Sequence, residues 1–231
     1  MMVDIFSNFD DQNFTFLCFS PIVWFMGISP VLVIHSKYWV SGSRFINFLY
    51  VIQGFMNGQV SRTLGKNISG FSNVIVSVFI LLIMVNLLGL LPYVFSLSSH
   101  LSFAFCLGLP FWLSLILSGS FSSISSVVSH FLPPGAPGVL SPFMVLVETV
   151  SIFVRPVTLS IRLVANMSAG HIILGLVGSY LSVGIFSYSV GVVLILILVQ
   201  VFYSMFEVGI SLIQAYIFSL LVTLYSEDHP F

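Results

Sequence analysis

Charged side chains are scarce in this sequence, and their scarcity excludes most soluble folds. Only 6% of the 231 residues are charged, and 58% are hydrophobic. A soluble domain carries about 25% charged residues, which form its hydrated shell. The sequence therefore predicts that a lipid bilayer surrounds most of the surface. It also predicts an all-α polytopic membrane protein, because a helix satisfies its own backbone polar groups within lipid.

Several function classes have no support in the composition. The net charge is −1 and no basic run occurs, so nucleic-acid binding is not expected. Cys18 and Cys106 lie in apolar stretches without metal-ligand spacing, which favours small buried side chains over a metal site. No phosphate-binding glycine loop is present, and neither a cofactor nor a catalytic site of the chain's own is expected.

Hydrophobic runs predict about five membrane-crossing helices within one membrane domain over residues 1–231. The last two are unusually long, and about 40 residues at about 1.5 Å each reach about 60 Å. The hydrocarbon core is only about 30 Å thick, so these two helices must tilt strongly, bend or extend beyond it. The predicted spans are 14–34, 71–95, 100–132, 141–182 and 186–226.

The stretch 36–67 differs from its apolar surroundings. Four of the six basic residues lie here, and no acidic residue does. The positive-inside rule predicts that this stretch faces the cytoplasm or the mitochondrial matrix. Apolar residues at helical spacing within it predict an amphipathic surface helix over 43–65, with a short solvated linker as the alternative. The basic residues are Lys37, Arg44, Arg62 and Lys66.

The N-terminal segment, MMVDIFSNFDDQNF, is acidic and has no basic residue. A secretory signal needs a positively charged start, and a mitochondrial presequence needs arginine. Neither pattern is visible, so either the protein is made where it works or its targeting is internal.

Ionisable side chains occur at unusual positions inside the last two predicted helices. Such groups cost several kcal/mol within a membrane and are rare without a purpose. We therefore expect a functional role for the set, with simple pairing for packing as the alternative. Arg155 has a second alternative, because a long basic side chain can reach the membrane interface. The set comprises Glu148, Arg155, Arg162, His171 and Glu207.

Helical geometry predicts how the ionisable side chains are arranged around the first helix of this pair. Arg155 and Arg162 share a face about 10 Å apart, and Asn166 lies one turn further. Glu148 falls near the same face, about 21 Å from Arg162 along the axis, although Pro156 loosens that distance. His171 lies on roughly the opposite face.

A polar stripe runs along the last predicted helix. Gln200, Glu207 and Gln214 are seven residues apart, and Tyr203 and Ser211 lie between them on the same side. The stripe is typical either of a polar path through the membrane or of hydrogen bonds between helices.

Proton chemistry separates the roles of these residues. Glutamate and histidine can take up and release protons near neutral pH when their surroundings favour it. Arginine cannot, so Arg162 is predicted to be a fixed positive charge rather than a proton carrier. Such a charge repels a passing proton and makes a nearby carboxylate release its own. A partner could supply this carboxylate, and the small residues beside Arg162 would let a neighbouring helix approach closely.

These residues lie within a segment that resembles a known family. The stretch SIRLVANMSAGH, Ser160 to His171, closely resembles the most distinctive segment of subunit a of F-type ATP synthases, in its mitochondrial form. The motifs PFMVLVETVSIFVRP, FEVGISLIQAYIFSLLVTLY, NLLGLLP and HFLPPGAP are similar too. The similarity covers nearly the whole chain and is weakest over about the first 60 residues.

The resemblance implies that this chain is the proton-translocating stator subunit of the membrane sector, Fo. Two offset half-channels would adjoin the rotating ring of c subunits, and Arg162 would separate them while facing the ring carboxylates. Proton flow would then drive rotation and ATP synthesis. Gln214 matches the glutamine beside the arginine, and Asn166 matches the motif asparagine. His171 and Glu207 match the intermembrane-space half-channel, and Glu148 matches the matrix half-channel.

The resemblance also implies the partners of this chain and its location in the cell. The expected partners are the c-subunit ring, the peripheral stalk and other Fo subunits, protons and membrane lipids. The expected location is the mitochondrial inner membrane, with the N-terminus toward the intermembrane space and residues 36–67 and the C-terminus toward the matrix. Arg155 receives no role from the resemblance.

Two other classes of protein remain as alternatives. A stand-alone proton-coupled transporter is typically built from repeated halves, and no internal repeat is evident in this sequence. A structural subunit of a respiratory complex has no need for isolated ionisable groups at the middle of the membrane.

Overall fold

The computed structural model describes Phe9 and residues 44–63, 65, 68–91, 94–130 and 140–226. Within these ranges all regular structure is helical, in the order α1 (Arg44–Val60), α2 (Phe71–Gly89), a 3-10 turn (Leu97–Ser99), α3 (Leu101–Ser122), α4 (Ile124–His130), α5 (Ser141–Ser187) and α6 (Val190–Tyr225). The span predicted over 14–34 lies outside the described residues, as does most of the stretch HFLPPGAP.

Four of these helices, α2, α3, α5 and α6, are long and apolar enough to cross a membrane. The prediction of an all-α polytopic membrane protein is confirmed. Helix α5 has 47 residues and α6 has 36, which correspond to about 70 Å and about 54 Å. The prediction that the last two helices are unusually long is therefore confirmed, and their strong tilt in the membrane stays a prediction.

A short turn joins the two long helices. Helix α5 continues through Gly184 to Ser187, and the Tyr188 N–H donates to the Gly184 carbonyl at 2.9 Å. A Cβ added at Gly184 would lie 2.8 Å from Tyr188 Cδ2, so the absence of a side chain there lets the tyrosine ring fold back onto α5. The Ser189 carbonyl then accepts the Val192 N–H at 3.0 Å, which begins α6.

The chain forms two compact units, and both long helices contribute to each of them. Among the described residues, one unit contains Phe9, Ile80–His100 and Leu163–Tyr216. The other contains Ser41–Phe79, Leu101–Arg162 and Ile217–Phe231. All candidate site residues between 163 and 216 therefore belong to the first unit, whereas Glu148, Arg155 and Arg162 belong to the second.

The second unit packs α1 and the first half of α2 with the end of α6. Met56 of α1 is fully buried, and its sulfur lies 3.9 Å from the Ser219 hydroxyl. The opposite side of α1 leaves Tyr50 and Val51 mostly exposed. The helix predicted over 43–65 is thus present as Arg44–Val60 with one packed and one exposed apolar side, and its position on a membrane surface stays a prediction.

A close contact between α3 and α5 fixes α5 just before Arg162. The Ser160 hydroxyl lies 3.2 Å from the Ala104 carbonyl and 2.9 Å from the Pro156 carbonyl. A Cβ added at Gly108 would come within 2.8 Å of Ser160 Oγ. Small residues therefore let the two helices approach closely, as is common in membrane helix pairs. Helix α5 continues through Pro156, although a proline has no N–H to donate to the backbone carbonyl of the previous turn.

Candidate functional site

Two of the predicted site residues join α5 and α6 directly. Asn166 Nδ2 donates to Gln214 Oε1 at 2.7 Å, across 48 residues of sequence. Gln214 is buried, with 3% of its surface exposed. Since a side-chain amide offers both a donor and an acceptor, this bond orients both groups and fixes the relative position of the two helices at this level.

Glu207 lies against a glycine of the neighbouring helix. Its surface is only 5% exposed, and a Cβ added at Gly170 would overlap Glu207 Oε1. Tyr203, one turn earlier in α6, makes a side-chain hydrogen bond with Glu207. The buried carboxyl group therefore occupies the space that Gly170 leaves free.

His171 follows Gly170 in α5, so it lies at about the level of Glu207 in the pair formed by α5 and α6. Its Nε2 atom is buried and has no hydrogen-bond partner among the residues that the structure describes. The ring of Phe9 stands edge-on to the imidazole, with ring centroids 6.2 Å apart and an interplanar angle of 86°. A buried polar nitrogen of this kind is usually satisfied by water or by another polar group.

The end of α2 brings in a polar residue that had no predicted role. Asn86 is fully buried, and its Nδ2 donates to the Ser211 carbonyl at 3.4 Å, one turn after Glu207. Within the described part of the chain, its Oδ1 has no hydrogen-bond partner. The signal in the sequence was an asparagine in the otherwise apolar helix FSNVIVSVFILLIMVNLLG, but its partner lies 125 residues away.

Arg162 is exposed on an apolar part of α5. Its preceding neighbour, Ile161, has 49% of its surface exposed, and Ala165 on the next turn is exposed as well. Among the described residues, no carboxylate lies within ion-pair distance of the Arg162 guanidinium. In a membrane, a cation at such a position is costly unless another polar molecule covers it.

Glu148 and Arg155 form a separate pair near the start of α5. Arg155 Nη2 lies 3.9 Å from Glu148 Oε1, and the Arg155 guanidinium lies 5.4 Å from the centroid of the Tyr225 ring. Both charged side chains keep about a third of their surface exposed, at 29% and 33%. An ion pair of this length and exposure adds only about 0–1 kcal/mol to stability.

The structure thus brings together Asn166 with Gln214, and Glu207 with the glycine that precedes His171. Within the first unit, this arrangement offers one buried carboxyl group that can bind a proton, one imidazole and the two hydrogen-bonded amide side chains. Within the described ranges, no cluster of three or more His, Cys, Asp or Glu side chains could hold a metal ion.

Comparison with known proteins identifies the family. The family model described as ATP synthase A chain matches residues 15–227. The chain is 37% identical to ATP synthase subunit a of Locusta migratoria over 230 residues, covering 99% of each chain. It is 37% identical to the subunit a of Aedes aegypti over 229 residues, again covering 99% of both. It is 34% identical to that of Pisaster ochraceus over 221 residues, covering 96% of both.

The matched region contains every described residue of the candidate site, from Glu148 to Gln214. The family resemblance of SIRLVANMSAGH and its flanking motifs is therefore confirmed over nearly the whole length of the chain. This protein belongs to the ATP synthase A chain family, whose relatives are named ATP synthase subunit a.

Proposed function

We propose that this chain is the proton-translocating stator subunit of an ATP synthase Fo sector in the mitochondrial inner membrane. The observation that carries the proposal is the exposed cation Arg162 on an apolar, membrane-length helix. A permanently charged group at such a surface needs a polar partner. A ring of c subunits supplies that partner, because its carboxylates pass Arg162 one after another. The charge then acts on each carboxylate as it passes.

Arg162 separates two half-channels in this proposal. A ring carboxylate that arrives protonated loses its proton when it meets the guanidinium, because a neighbouring positive charge favours the ionised form. The same charge repels any proton moving straight through. Protons must therefore enter from one side, travel around with the ring and leave on the other side, which couples their flow to rotation and ATP synthesis.

The buried carboxyl group of Glu207 serves the intermembrane-space half-channel, together with His171. Their support is the contact between Glu207 and Gly170 and the hydrogen bond from Tyr203, which hold a proton-binding group within the membrane-spanning region. Glu148 serves the matrix half-channel, and its exposure at the start of α5 leaves it open to water or to a partner.

Asn166 and Gln214 act as positioning residues in this scheme. Asn166 lies one turn after Arg162 in α5, and its amide is fixed by Gln214 at 2.7 Å. The bond holds α6 against α5 on the turn that follows the arginine, so the cation keeps its place as the ring passes.

The proposed setting follows from the same role. The partners are the c-subunit ring, the peripheral stalk with other Fo subunits, protons and lipids, and nucleotide chemistry belongs to other subunits. The N-terminus faces the intermembrane space, and residues 36–67 and the C-terminus face the matrix, as the basic residues favour.

Gly170→Ala is expected to lower proton flow strongly in the assembled complex. The added Cβ would overlap the Glu207 carboxyl group, so that this group must move away from its position. Gly178→Ala is the matched control, because a Cβ at Gly178 meets no atom within 4 Å. Proton uptake by vesicles containing the complex measures the effect. Equal flow in both variants would show that the position of Glu207 does not matter for conduction.

Cross-linking tests whether Arg162 faces the ring. Ala165 lies three residues after Arg162 on an exposed part of α5, so Ala165→Cys is expected to form a disulfide with a cysteine next to the carboxylate of a c subunit. A disulfide needs Cα atoms about 4.4–6.8 Å apart, which makes the reaction a strict test of proximity. The native cysteines, Cys18 and Cys106, are first replaced by serine.

Leu113→Cys on α3 is the control, because Leu113 is also exposed at 42% but belongs to a helix with no proposed ring contact. The proposal predicts ring cross-links from Ala165→Cys and none from Leu113→Cys. Cross-linking through α3 without any through α5 would place the ring on a different face and overturn the proposed function.

A further inference from the structure

Arg155 has no role in the proposed scheme, although it lies in the same helix as Glu148 and Arg162. Its Nη2 atom lies 3.9 Å from Glu148 Oε1, and its guanidinium carbon lies 5.4 Å from the centroid of the Tyr225 ring. An ion pair as exposed as this one adds little to stability. The arrangement of the three side chains therefore needs an explanation other than the stability of the fold.

The arginine side chain has to stretch along α5 to reach Glu148. Arg155 and Glu148 are seven positions apart, which is about 10.5 Å along the axis of a helix. Side chains of a helix lean toward its N-terminus, so Arg155 points toward Glu148, and the contact needs a nearly extended conformation. An exposed arginine loses conformational freedom when it is held in one rotamer. A further contact that keeps the side chain extended would therefore strengthen the pair.

The ring of Tyr225 supplies such a contact. A guanidinium within about 6 Å of the centroid of an aromatic ring is attracted to the face of that ring, and 5.4 Å falls within this distance. Tyr225 is also the last residue of α6, where the helix dipole favours a nearby cation, and the last turn of α6 contains no basic residue. Arg155 of α5 thus provides a cation at the end of α6.

The end of α6 is held in place by the segment that follows α1. Ser226, the residue after Tyr225, is fully buried. A Cβ added at Gly65 would overlap the Ser226 hydroxyl and would come within 2.9 Å of Phe71 Cε1. The backbone next to Tyr225 is therefore tightly packed, which fixes the point from which the tyrosine ring extends.

The contact between Arg155 and Glu148 leaves the carboxyl group able to exchange protons. A hydrogen bond from a guanidinium nitrogen to a carboxylate is about 2.7–2.9 Å long, whereas Arg155 Nη2 stays 3.9 Å from Glu148 Oε1. The positive charge attracts the carboxylate at this distance, but Nη2 makes no hydrogen bond to Oε1. Because a third of the Glu148 side chain is exposed as well, water can reach the carboxyl group.

We propose that Arg155 and Tyr225 are positioning residues for Glu148. The Tyr225 ring, at the end of α6, holds Arg155 extended along α5, and the charge of Arg155 holds the Glu148 carboxyl group where it exchanges protons with water. The inference rests on the proposed role of Glu148 in the matrix half-channel and adds two residues to it. Neither Arg155 nor Tyr225 takes up or releases a proton in this scheme.

Two substitutions of Tyr225 test the positioning role. Tyr225→Phe retains the aromatic ring, so its proton flow is expected to stay near the native level. Tyr225→Leu removes the ring face, and its flow is expected to fall roughly two- to tenfold, in line with the strength of a cation–π contact. Proton uptake by vesicles containing the assembled complex measures both flows. Equal flow in the two variants would overturn the inference.

A double variant shows whether Tyr225 acts through Arg155. If it does, Tyr225→Leu causes no further loss in a complex that already carries Arg155→Met. A purely structural role of Tyr225 predicts the same fractional loss in both backgrounds. Leu224→Ala controls for a disturbance of the end of α6, because Leu224 is the neighbouring residue and is 47% exposed. Its proton flow is expected to be native.

Substitutions of Arg155 provide a test that does not depend on how the Tyr225 variants fold. Arg155→Lys keeps a positive charge, whereas Arg155→Met keeps a long unbranched side chain without the charge. We expect the proton flow of Arg155→Lys to exceed that of Arg155→Met several-fold. Equal flow in these two variants would show that Arg155 only fills space, which contradicts the inference.

Failure of this inference is distinguishable from failure of the proposed function. If Glu148→Gln lowers proton flow while Tyr225→Leu conducts as well as Tyr225→Phe, the role of Glu148 stands and only the positioning by Tyr225 is wrong. If Glu148→Gln conducts normally, the proposed role of Glu148 fails, and the inference that rests on it fails as well.

Discussion

Arg162→Ala is expected to abolish proton-driven ATP synthesis while the complex still assembles. The side chain is exposed on α5, so its removal leaves no cavity in the packed interior of the protein. Without the cation, a ring carboxylate is no longer forced to release its proton at this position, and a proton can pass between the half-channels without turning the ring. ATP synthesis by vesicles with an imposed proton gradient measures the loss.

Thr158→Ala is the matched control for this experiment. Thr158 lies one turn before Arg162 on the same exposed side, and its hydroxyl donates to the Arg155 carbonyl at 3.0 Å within the helix. Synthesis in this variant is expected to stay near the native level. Full synthesis in Arg162→Ala, with the complex intact on a native gel, would contradict the proposed barrier.

Glu207→Gln is expected to produce the second large effect. Glutamine has nearly the same shape as glutamate and retains a partner for Tyr203, so the contact with Gly170 is preserved. It cannot bind and release a proton, however, and a positioned proton-transfer group typically contributes about 10²–10⁴-fold to a rate. Proton flow into vesicles should fall by a factor in this range, while the thermal stability of the complex changes little.

Ser204→Ala controls for a general disturbance of α6, because Ser204 is exposed and its hydroxyl donates to the Val201 carbonyl of its own helix. Its proton flow is expected to match that of the unaltered protein. If Glu207→Gln conducts as fast as Ser204→Ala, then Glu207 is a packing residue and another group carries the proton.

The class of fold followed from the sequence because it depends on composition and on the length of apolar runs. A chain with 6% charged residues cannot form a hydrated shell, and this argument needs no knowledge of how the helices pack. Arg162 could be singled out for the same reason, since a charge in a long apolar helix stands out whatever surrounds it, and its functional role stays a prediction.

The contacts of the site depend on which helices meet and in which register, and helical periodicity does not contain that information. The hydrogen bond between Asn166 and Gln214 joins residues 48 positions apart in the sequence, and the one between Asn86 and Ser211 joins residues 125 positions apart. The stripe on α6 predicted a polar side for that helix, but its partner at the level of Glu207 is a glycine, which carries no polar signal at all.

Roles taken from the family resemblance extend further than the geometry of this chain. The structure buries Glu207 and joins the side chains of Asn166 and Gln214 by a hydrogen bond. The roles of Arg162 and Glu148 depend on molecules outside the chain. Arg155, which had no predicted role, proves to be the partner of Glu148.

The central claim is that Arg162 works because its charge is permanent, and Arg162→Lys tests this claim most directly. Lysine keeps a positive charge on a long side chain at the same position, but it can lose its proton when desolvated and lacks the planar fork of arginine. We predict that proton-driven ATP synthesis in the assembled Arg162→Lys complex is lost or severely reduced. Normal coupled synthesis in this variant would contradict the account.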